Sequence, residues 1–309
     1  MKCLVTSRSF GKLSDIPKNI LTDNGFEIKY YRDRYIEDEF IEALKDCDAL
    51  IIGAHEFSEK ALAAASADKL KVVIKHGTGM DNINIPLCEQ YGVHTDNVPA
   101  VNGNAVADLA FTHIMNCARK VHLAANNVLQ GQWKTVTGVD VYKKVLGLVG
   151  FGAIAKNVAR RAKGFDMKVL AYDPFVTEVP EEFAGYVELA DLDTVLTGSD
   201  IISIHVPLND STRNLIGAPE IARMKKGVII VNTSRGGILN EDALYDGLVS
   251  GQVMSAGLDV LETEPMDPDN KLAKLENCTI TPHMGMYSFE AINAVSSIAA
   301  QKVVDFFNK

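Results

Sequence analysis

A glycine-rich turn between an apolar strand and a helix constrains this chain more than any other feature. The strand, residues 145–149, reads VLGLV, and Gly150, Gly152 and Ala155 follow in the spacing G-x-G-x-x-A. Two glycines allow a tight turn and a close approach of the backbone to a pyrophosphate, and the small third residue lets the helix pack against the strand. The free N–H groups of the helix then attract phosphate. This order predicts a dinucleotide-binding Rossmann unit.

An aspartate about 20 residues beyond the turn indicates which dinucleotide binds. Asp173 ends the next apolar stretch, residues 167–172. A carboxylate in this place accepts hydrogen bonds from the adenosine ribose hydroxyls and repels a 2′-phosphate. No arginine follows directly, so the sequence predicts NAD rather than NADP as the cofactor. The alternative is a structural glycine turn with an aspartate that only caps a turn or a helix.

Strand-like apolar runs alternate with helix-like stretches along most of the chain. Such alternation favours parallel sheets built from βαβ units. The predicted strands are residues 2–6, 49–52, 71–74, 144–149, 167–172, 201–206, 227–232, 254–258 and 278–281, and the predicted helices include residues 35–45, 58–67, 153–162 and 288–307. The sequence therefore predicts an α/β protein with two doubly wound parallel-sheet domains.

One proline-free segment, residues 105–130, is much longer than the other predicted helices. Its apolar residues recur at spacings of three and four from Val106 to Val128, and Asn104 can cap its first turn. We predict a single long helix. Such a helix either packs on a partner or bridges two domains, or it simply covers a sheet, and the pattern leaves these alternatives open.

Composition and charge argue against several kinds of partner. The 309 residues carry a formal charge of -9, whereas nucleic acids and anionic membranes bind basic surfaces. No stretch approaches the roughly 18 consecutive apolar residues that a membrane span needs, and the first residues lack the apolar core of a signal peptide. The five cysteines are scattered without a C-x-x-C pair, so neither disulfides nor a metal site is indicated. We expect a cytoplasmic protein.

Three short motifs downstream of the glycine-rich turn each carry one residue with a distinct chemical ability. Arg235 lies in NTSRGG, Glu264 in LDVLETEP and His283 in TPH. A guanidinium group can bond two carboxylate oxygens and stays charged, whereas an imidazole titrates near neutral pH and can move a proton. Ligands bind open α/β sheets where strands end, and Arg235 directly follows a predicted strand. With a redox cofactor, these groups predict hydride transfer to and from a 2-hydroxy acid.

Each of these residues also has an ordinary structural interpretation. Arg235 alone could form a surface ion pair, and His283 alone could be a structural histidine. Glu264 lies in an acidic loop, where Glu262 is a rival for its role. We predict that His205 borders the cofactor, and that the remaining histidines are structural or exposed; these are His55, His76, His94, His113 and His122.

At six motifs in matching order, the chain resembles the D-isomer-specific 2-hydroxyacid dehydrogenase family. The motifs are residues 75–83, the glycine-rich turn with Asp173, and residues 205–208, 232–237, 257–265 and 281–283. The resemblance covers nearly the whole chain and is strongest to the D-3-phosphoglycerate dehydrogenase branch. It implies a flavodoxin-like substrate domain, residues 1–99 plus 284–309, and a Rossmann NAD-binding domain, residues 100–283, with a cleft between them. It also implies a homodimer.

The resemblance further implies a role for each matching residue. Arg235 would bind the substrate carboxylate, His283 would exchange the proton of the C2 hydroxyl, and Glu264 would orient His283. The residues implied to bind NAD are Thr78, Gly150, Gly152, Ala153, Ile154, Asp173, His205, Val206, Pro207, Thr233, Ser234 and Asp259. Those implied to bind the 2-hydroxy or 2-keto acid are Lys75, Gly77, Gly79 and Arg235.

The identity of the acid is open at this stage. The loop after residues 49–52 reads Gly-Ala-His-Glu, where an arginine is expected for a phosphate, and Glu56 would repel one. Lys75 occupies another usual cationic position, and Arg8 could face the same cleft. The candidates are 3-phosphoglycerate, a glyoxylate-, hydroxypyruvate- or lactate-type substrate, or no rapid turnover in an NAD(H)-sensing binding protein. A formate-type enzyme is disfavoured because that branch pairs its histidine with glutamine.

Overall fold

Two parallel β-sheets, of five and seven strands, organise the computed structural model, which describes residues 1–32, 34–99 and 101–308. The sheets belong to two compact units, Met1–Asn102 with Met286–Lys309, and Gly103–Gly285. Two of the predicted domain limits, Ala100 and Lys309, lie outside the described residues. The prediction of two parallel-sheet α/β domains is confirmed.

The first unit contains a five-stranded sheet in the order β2-β1-β3-β4-β5. This is the flavodoxin-like order. The strands are β1 (Lys2–Val5), β2 (Glu27–Tyr30), β3 (Ala49–Ile52), β4 (Val72–Lys75) and β5 (His94–Asp96), and the helices between them are α1 (Ile16–Asp23), α2 (Glu37–Leu44), α3 (Glu59–Asp68) and α4 (Ile85–Gln90).

The second unit contains a seven-stranded sheet in the order β12-β11-β10-β9-β6-β7-β8. Strands β6 to β11 follow the Rossmann order, and β12 extends one edge of the sheet. The strands are β6 (Val145–Val149), β7 (Lys168–Tyr172), β8 (Val187–Leu189), β9 (Ile201–Ile204), β10 (Val228–Asn232), β11 (Val253–Leu258) and β12 (Cys278–Ile280). The helices are α5 (Gly103–Arg119), α6 (Val121–Leu129), α7 (Ala153–Lys163), α8 (Leu192–Gly198), α9 (Ala218–Arg223) and α10 (Glu241–Ser250).

The central strands are mostly apolar because helices cover both faces of each sheet. All residues of β3, β9 and β10 are buried. The last helix, α11 (Phe289–Phe307), packs against the first sheet and contributes Val295, Ala299 and Val303 to the same apolar cluster as Val5 of β1. Burial on both faces leaves the strand ends as the places where polar side chains can reach solvent or a ligand.

The prediction of one helix over residues 105–130 is wrong in part. The segment forms two helices, α5 and α6, which are separated at Lys120, where φ is 52°. α5 covers the second sheet and buries Phe111 and Ile114 in its core. α6 buries none of its residues. Spacing of apolar residues could not reveal this break, because Val121 and Val128 continue the apolar period although both side chains are exposed.

Candidate active site

The turn between β6 and α7 has the shape that its glycines predict. Gly150 has a φ of 95°, and a Cβ there would lie 2.8 Å from the carbonyl oxygen of His205, so only glycine fits. Gly152 is the N-cap of α7, and a Cβ there would meet no atom within 4 Å. The first N–H groups of α7, from Ala153 and Ile154 onward, therefore begin beside an open space in which a phosphate can bind.

Asp173 holds the glycine-rich turn from the end of β7. Its Oδ2 accepts a hydrogen bond from the Phe151 N–H at 2.9 Å, and its Oδ1 accepts one from the Phe175 N–H at 2.9 Å. A carboxylate can accept about four hydrogen bonds, so each oxygen can also receive one from a ribose hydroxyl. The residues of the turn and Asp173 thus fit the diphosphate and the adenosine ribose of NAD.

The segment after β9 borders the same turn. The His205 N–H donates to the Val149 carbonyl at 2.7 Å, and a Cβ on Gly150 would lie 2.9 Å from Cγ1 of Val206. Burial lowers the pKa of His205 to about 4, so its ring is neutral at physiological pH and does not serve as a proton carrier there. Pro207 follows directly, and its carbonyl accepts the Thr212 hydroxyl at 2.6 Å.

The Asn232 side chain shapes the loop that carries Arg235. Its Nδ2 donates to the Arg235 carbonyl at 2.8 Å, and its Oδ1 accepts from the Ser234 N–H at 3.0 Å and the Ser234 hydroxyl at 2.7 Å. Thr233, between them, is buried, while Arg235 is half-buried and donates from Nη1 to the Ser234 carbonyl at 2.7 Å. A polar residue that ends an apolar strand and precedes Thr-Ser is a signal from which the role of Asn232 could have been predicted.

A glycine brings this loop against the segment that leads to Glu264. A Cβ on Gly236 would lie 1.9 Å from the carbonyl oxygen of Leu261, so no larger residue can occupy the position. The Leu261 N–H in turn donates to Oε1 of Glu264 at 3.0 Å. Two loops from the ends of β10 and β11 therefore meet at their backbones, which places the guanidinium of Arg235 close enough to lower the pKa of Glu264.

Glu264 and His283 form a direct pair. Oε2 of Glu264 lies 2.7 Å from Nδ1 of His283, and the two side chains are 37% and 48% exposed. Nδ1 of the ring faces the carboxylate, which leaves Nε2 for a substrate. Glu262, the rival acid, instead accepts the Glu241 N–H at 3.2 Å.

Three neighbours together outweigh the effect of burial on the pKa of the Glu264 carboxyl group. Partial burial is the largest single influence, and it raises the pKa. The hydrogen bond and charge of His283, the Leu261 N–H and the charge of Arg235 lower it, so that the pKa lies below the ordinary value. Glu264 is therefore ionised at physiological pH, when it can fix the tautomer of His283 and stabilise an imidazolium.

Asp259 is buried, with 1% of its surface exposed, and it holds the turn that carries His283. Its Oδ1 accepts the Thr281 hydroxyl at 2.6 Å and the Met284 N–H at 2.9 Å, and its Oδ2 accepts the Gly285 N–H at 2.8 Å. The family resemblance implies that Asp259 binds NAD, which remains a prediction. The three bonds to the 281–285 turn were not foreseen, because they depend on how two strand ends lie side by side.

The remaining predicted substrate residues lie in the first unit, where Lys75 ends β4 and Gly77 and Gly79 lie in the loop after it. Lys75 Nζ donates to the Gly53 carbonyl at 2.7 Å and to Oδ1 of Asn82 at 2.5 Å. Gly77 has a φ of 140°, and the Thr78 hydroxyl donates to the Val98 carbonyl at 3.2 Å. Gly79 follows in the same loop. Lys75 thus ties the 53–56 loop to the loop that contains the two glycines.

Within residues 1–32, 34–99 and 101–308, no three His, Cys, Asp or Glu side chains are arranged to hold a metal ion. None of the helices in these ranges combines the length and the apolar character of a membrane span.

The NAD-binding domain model of the D-isomer specific 2-hydroxyacid dehydrogenases matches residues 111–285. A glyoxylate reductase of Korarchaeum cryptofilum is 38% identical over 302 residues, which are 94% of this chain and 90% of that protein. The chain belongs to this family. It is an NAD-dependent oxidoreductase that acts on the CH–OH group of 2-hydroxy acids.

Other relatives in the family differ in the substrate that their names give. A hydroxypyruvate reductase of Thermotoga maritima is 39% identical over 91% of this chain and 91% of its own length. A D-3-phosphoglycerate dehydrogenase of Archaeoglobus fulgidus is 36% identical over 99% of this chain but only 57% of its own length. Among solved structures, the D-lactate dehydrogenase of Escherichia coli has a TM-score of 0.88 at 28% identity, and covers 100% of this chain and 97% of its own.

Proposed function

We propose that this enzyme reduces a small, unphosphorylated 2-keto acid, hydroxypyruvate or glyoxylate, to its D-2-hydroxy acid with NADH. The observation that carries the proposal is the pair of Glu264 and His283, 2.7 Å apart, near the positive charge of Arg235. A carboxylate–imidazole pair can deliver a proton, and a guanidinium can bind the acid group of the substrate. These are the two abilities that reduction at C2 requires beyond a hydride donor.

Each residue has one task in the proposed reaction. Arg235 binds the carboxylate of the keto acid, with the backbone N–H groups of Gly77 and Gly79 and the Lys75 ammonium as further contacts. NADH, when bound, supplies the hydride that reduces C2. His283 donates its Nε2 proton to the C2 oxygen and becomes neutral imidazole, and it takes that proton back in the reverse reaction. Glu264 keeps the ring in the orientation and tautomer that this transfer needs.

The proposed cofactor site extends from the glycine-rich turn to the active pair. Gly150, Gly152, Ala153 and Ile154 would hold the diphosphate, and Asp173 the adenosine ribose. The other proposed contacts are Thr78, His205, Val206, Pro207, Thr233, Ser234 and Asp259. In this assignment residues 100–283 form the NAD-binding domain, and residues 1–99 with 284–309 the substrate domain.

Two features of the first unit support an unphosphorylated substrate. The Lys75 ammonium already donates to Gly53 and Asn82, which reduces its capacity for a phosphate. Glu56 is exposed in the same loop and would repel a dianion. Two relatives that this chain matches over about nine-tenths of their length are named as a glyoxylate reductase and a hydroxypyruvate reductase. A phosphorylated acid, 3-phosphohydroxypyruvate, is the second candidate because of the relative named for 3-phosphoglycerate.

A comparison of four acids tests the proposal. Steady-state rates with NADH would be measured for hydroxypyruvate, glyoxylate, pyruvate and 3-phosphohydroxypyruvate, and the products would be assigned as D or L by chiral chromatography. We expect the highest kcat/KM for hydroxypyruvate or glyoxylate and a D product. A preference for 3-phosphohydroxypyruvate would contradict the substrate assignment. Negligible turnover of all four acids together with tight NADH binding would indicate a sensor of NAD(H) instead.

We further propose a cytoplasmic homodimer, with neither nucleic acid nor a membrane as a partner. α6 and the segment after it support the dimer, since they expose apolar side chains that nothing in this chain covers in the described residues. Leu129 is 85% and Trp133 94% exposed, and Val121, Val128 and Tyr142 are exposed beside them in the sequence. Light scattering should give a molecular mass twice that of one chain, and Leu129→Asp should lower the measured mass toward that of a single chain. A monomeric mass for the wild-type protein would contradict the proposal.

A further inference from the structure

A histidine that the proposed reaction does not use is buried beneath the active-site turn. His113, on α5, is 3% exposed. Its ring occupies the space that a side chain at Gly257 of β11 would need, because a Cβ there would lie 2.7 Å from Cβ of His113 and 2.8 Å from its Nδ1. The same helix otherwise buries apolar residues such as Ala110 and Ile114. An imidazole in such surroundings is costly unless it forms hydrogen bonds.

The ring is joined to Asp259 through one hydroxyl group. Nε2 of His113 lies 3.0 Å from Oγ1 of Thr281, and that hydroxyl donates to Oδ1 of Asp259 at 2.6 Å. A carboxylate only accepts, and a hydroxyl has a single proton, so the Thr281 proton points to Asp259. The Thr281 oxygen is then an acceptor, and His113 must be the donor, as the Nε2–H tautomer.

The protonation state of His113 agrees with this direction. Burial is the largest influence and lowers its pKa, while the charge of Asp259 opposes that change. The ring is neutral at physiological pH and carries one N–H, which the geometry assigns to Nε2. The bonds therefore run in one order, from His113 to Thr281 and from Thr281 to Asp259.

Asp259 connects these hydrogen bonds to the turn that carries His283. Its carboxylate accepts the Met284 and Gly285 N–H groups, and its carbonyl accepts the His283 N–H at 2.9 Å. His283 itself has a φ of 50°, a left-handed conformation that a non-glycine residue holds only when its surroundings enforce it. The position of the His283 ring thus depends on the bonds that Asp259 makes.

We propose that His113 is a positioning residue for His283, which acts through Thr281 and Asp259. The inference rests on the proposed role of His283 as the proton donor. With the His113 N–H removed, the Thr281 hydroxyl can turn toward the Leu258 carbonyl, which lies 3.5 Å from Oγ1. Asp259 then loses a donor, the turn loosens, and proton transfer from His283 slows without loss of the contacts that bind the keto acid.

His113→Leu and Thr281→Val test the relay in the full-length enzyme with hydroxypyruvate and NADH. Each should lower kcat on the order of 10-fold, as loss of an orienting partner does elsewhere, with KM for hydroxypyruvate within about 3-fold of wild type. The solvent deuterium isotope effect on kcat should rise, because proton transfer becomes slower. His113→Gln, whose amide can replace the Nε2–H donor, should restore most of kcat, and the double variant should be no slower than either single one.

Phe111→Leu is the matched control, because Phe111 is buried on the same helix and packs in its apolar core. It should lower the melting temperature and leave kcat per folded enzyme and the isotope effect unchanged. If His113→Leu behaves like this control, or if His113→Gln fails to restore kcat, His113 is only a core residue and the proposal is wrong. Retention of kcat in His283→Ala would instead overturn the proposed function, so the two failures are distinguishable.

Discussion

The two compact units differ in how completely their polar groups form a site. In Gly103–Gly285, Arg235, Glu264, His283 and Asp259 follow the ends of adjoining strands. Glu264, His283 and Asp259 form hydrogen bonds with a neighbouring segment, and Arg235 donates to Ser234 of its own loop. In the first unit, the ammonium group of the predicted substrate residue Lys75 donates hydrogen bonds to Gly53 and Asn82. The reaction class can therefore be assigned from the second unit alone. In the proposed assignment, the choice of acid depends on loops of the first unit, where Lys75 bonds Gly53 and Asn82.

The largest expected effect is at His283, the proposed proton donor in the second unit. His283→Ala should lower kcat by about 10²–10⁴-fold, because a positioned acid or base contributes this much. The dissociation constant for NADH, measured by fluorescence titration, should stay within about 2-fold, since the cofactor contacts proposed here lie on other residues. His122→Ala is the control, as its ring bonds Asn116 and the Glu276 carbonyl. Similar turnover in the two variants would remove His283 from the mechanism.

Arg235→Lys should have the next largest effect. A lysine keeps the charge but loses the planar fork that can bond both carboxylate oxygens, so kcat/KM for hydroxypyruvate should fall about 10–100-fold, mainly through KM. Steady-state kinetics would measure this, with Arg223→Lys as the control, because Arg223 pairs with Asp193 on the surface. A variant with wild-type KM would show that the carboxylate binds elsewhere.

Asp173→Ala tests the cofactor preference that the second unit determines. Removal of the carboxylate takes away both the ribose contact and the repulsion of a 2′-phosphate, so the ratio of kcat/KM for NADH over NADPH should drop by about 10-fold. The exposed Glu188, on the next strand, provides the control Glu188→Ala. An unchanged ratio would mean that Asp173 only supports the glycine-rich turn through the Phe151 and Phe175 N–H groups.

A smaller effect is expected in the first unit. If Lys75 serves mainly to tie its own loops together, Lys75→Met should change kcat/KM for hydroxypyruvate and 3-phosphohydroxypyruvate in parallel. The ratio between the two acids should stay within about 3-fold, since a lost phosphate contact would change one rate far more than the other. A selective loss of kcat/KM for the phosphorylated acid would contradict this expectation, because the first unit would then contain a phosphate site.

The smallest effect concerns stability. The pKa of Glu264 is lowered in the folded chain. The ionised carboxylate therefore stabilises the fold at pH values above its ordinary pKa of 4.5. This contribution is lost as the pH falls through the lowered folded-state pKa. The difference in unfolding free energy between wild type and Glu264→Gln should be at most about 1 kcal/mol at pH 7, because such exposed pairs are screened. Denaturant titrations should show it shrinking below about pH 4.5, with Glu276→Gln as the control; growth of the difference in acid would contradict the sign.

Most of the fold could be predicted because its central strands are buried on both faces and read as apolar runs. The three strands that the sequence did not reveal are β2, β5 and β8, which lie at sheet edges. There the pattern of burial is mixed, as in Glu27–Tyr30, and polar residues dominate, as in His94–Asp96. Edge strands have one uncovered side, so they lack the continuous apolar signal.

The predicted chemistry of the site and the network beneath it differ in the same way. Arg235, Glu264 and His283 could be named because each stands in a short motif. His113 could not, because its proposed role depends on contact with Thr281, 168 residues away. On a helix, its spacing matched that of an ordinary core residue. Only the meeting of α5 with the ends of β11 and β12 gives that imidazole a polar partner.

In the proposed mechanism Glu264 and His283 act as a coupled pair, which a double-mutant cycle can test. kcat for hydroxypyruvate reduction by NADH would be measured for wild type, Glu264→Gln, His283→Ala and the double variant. Since Glu264 works only through the imidazole, the double variant should be no slower than His283→Ala alone. Losses that multiply would show that the two residues act independently, and that the 2.7 Å contact between them does not carry the chemistry.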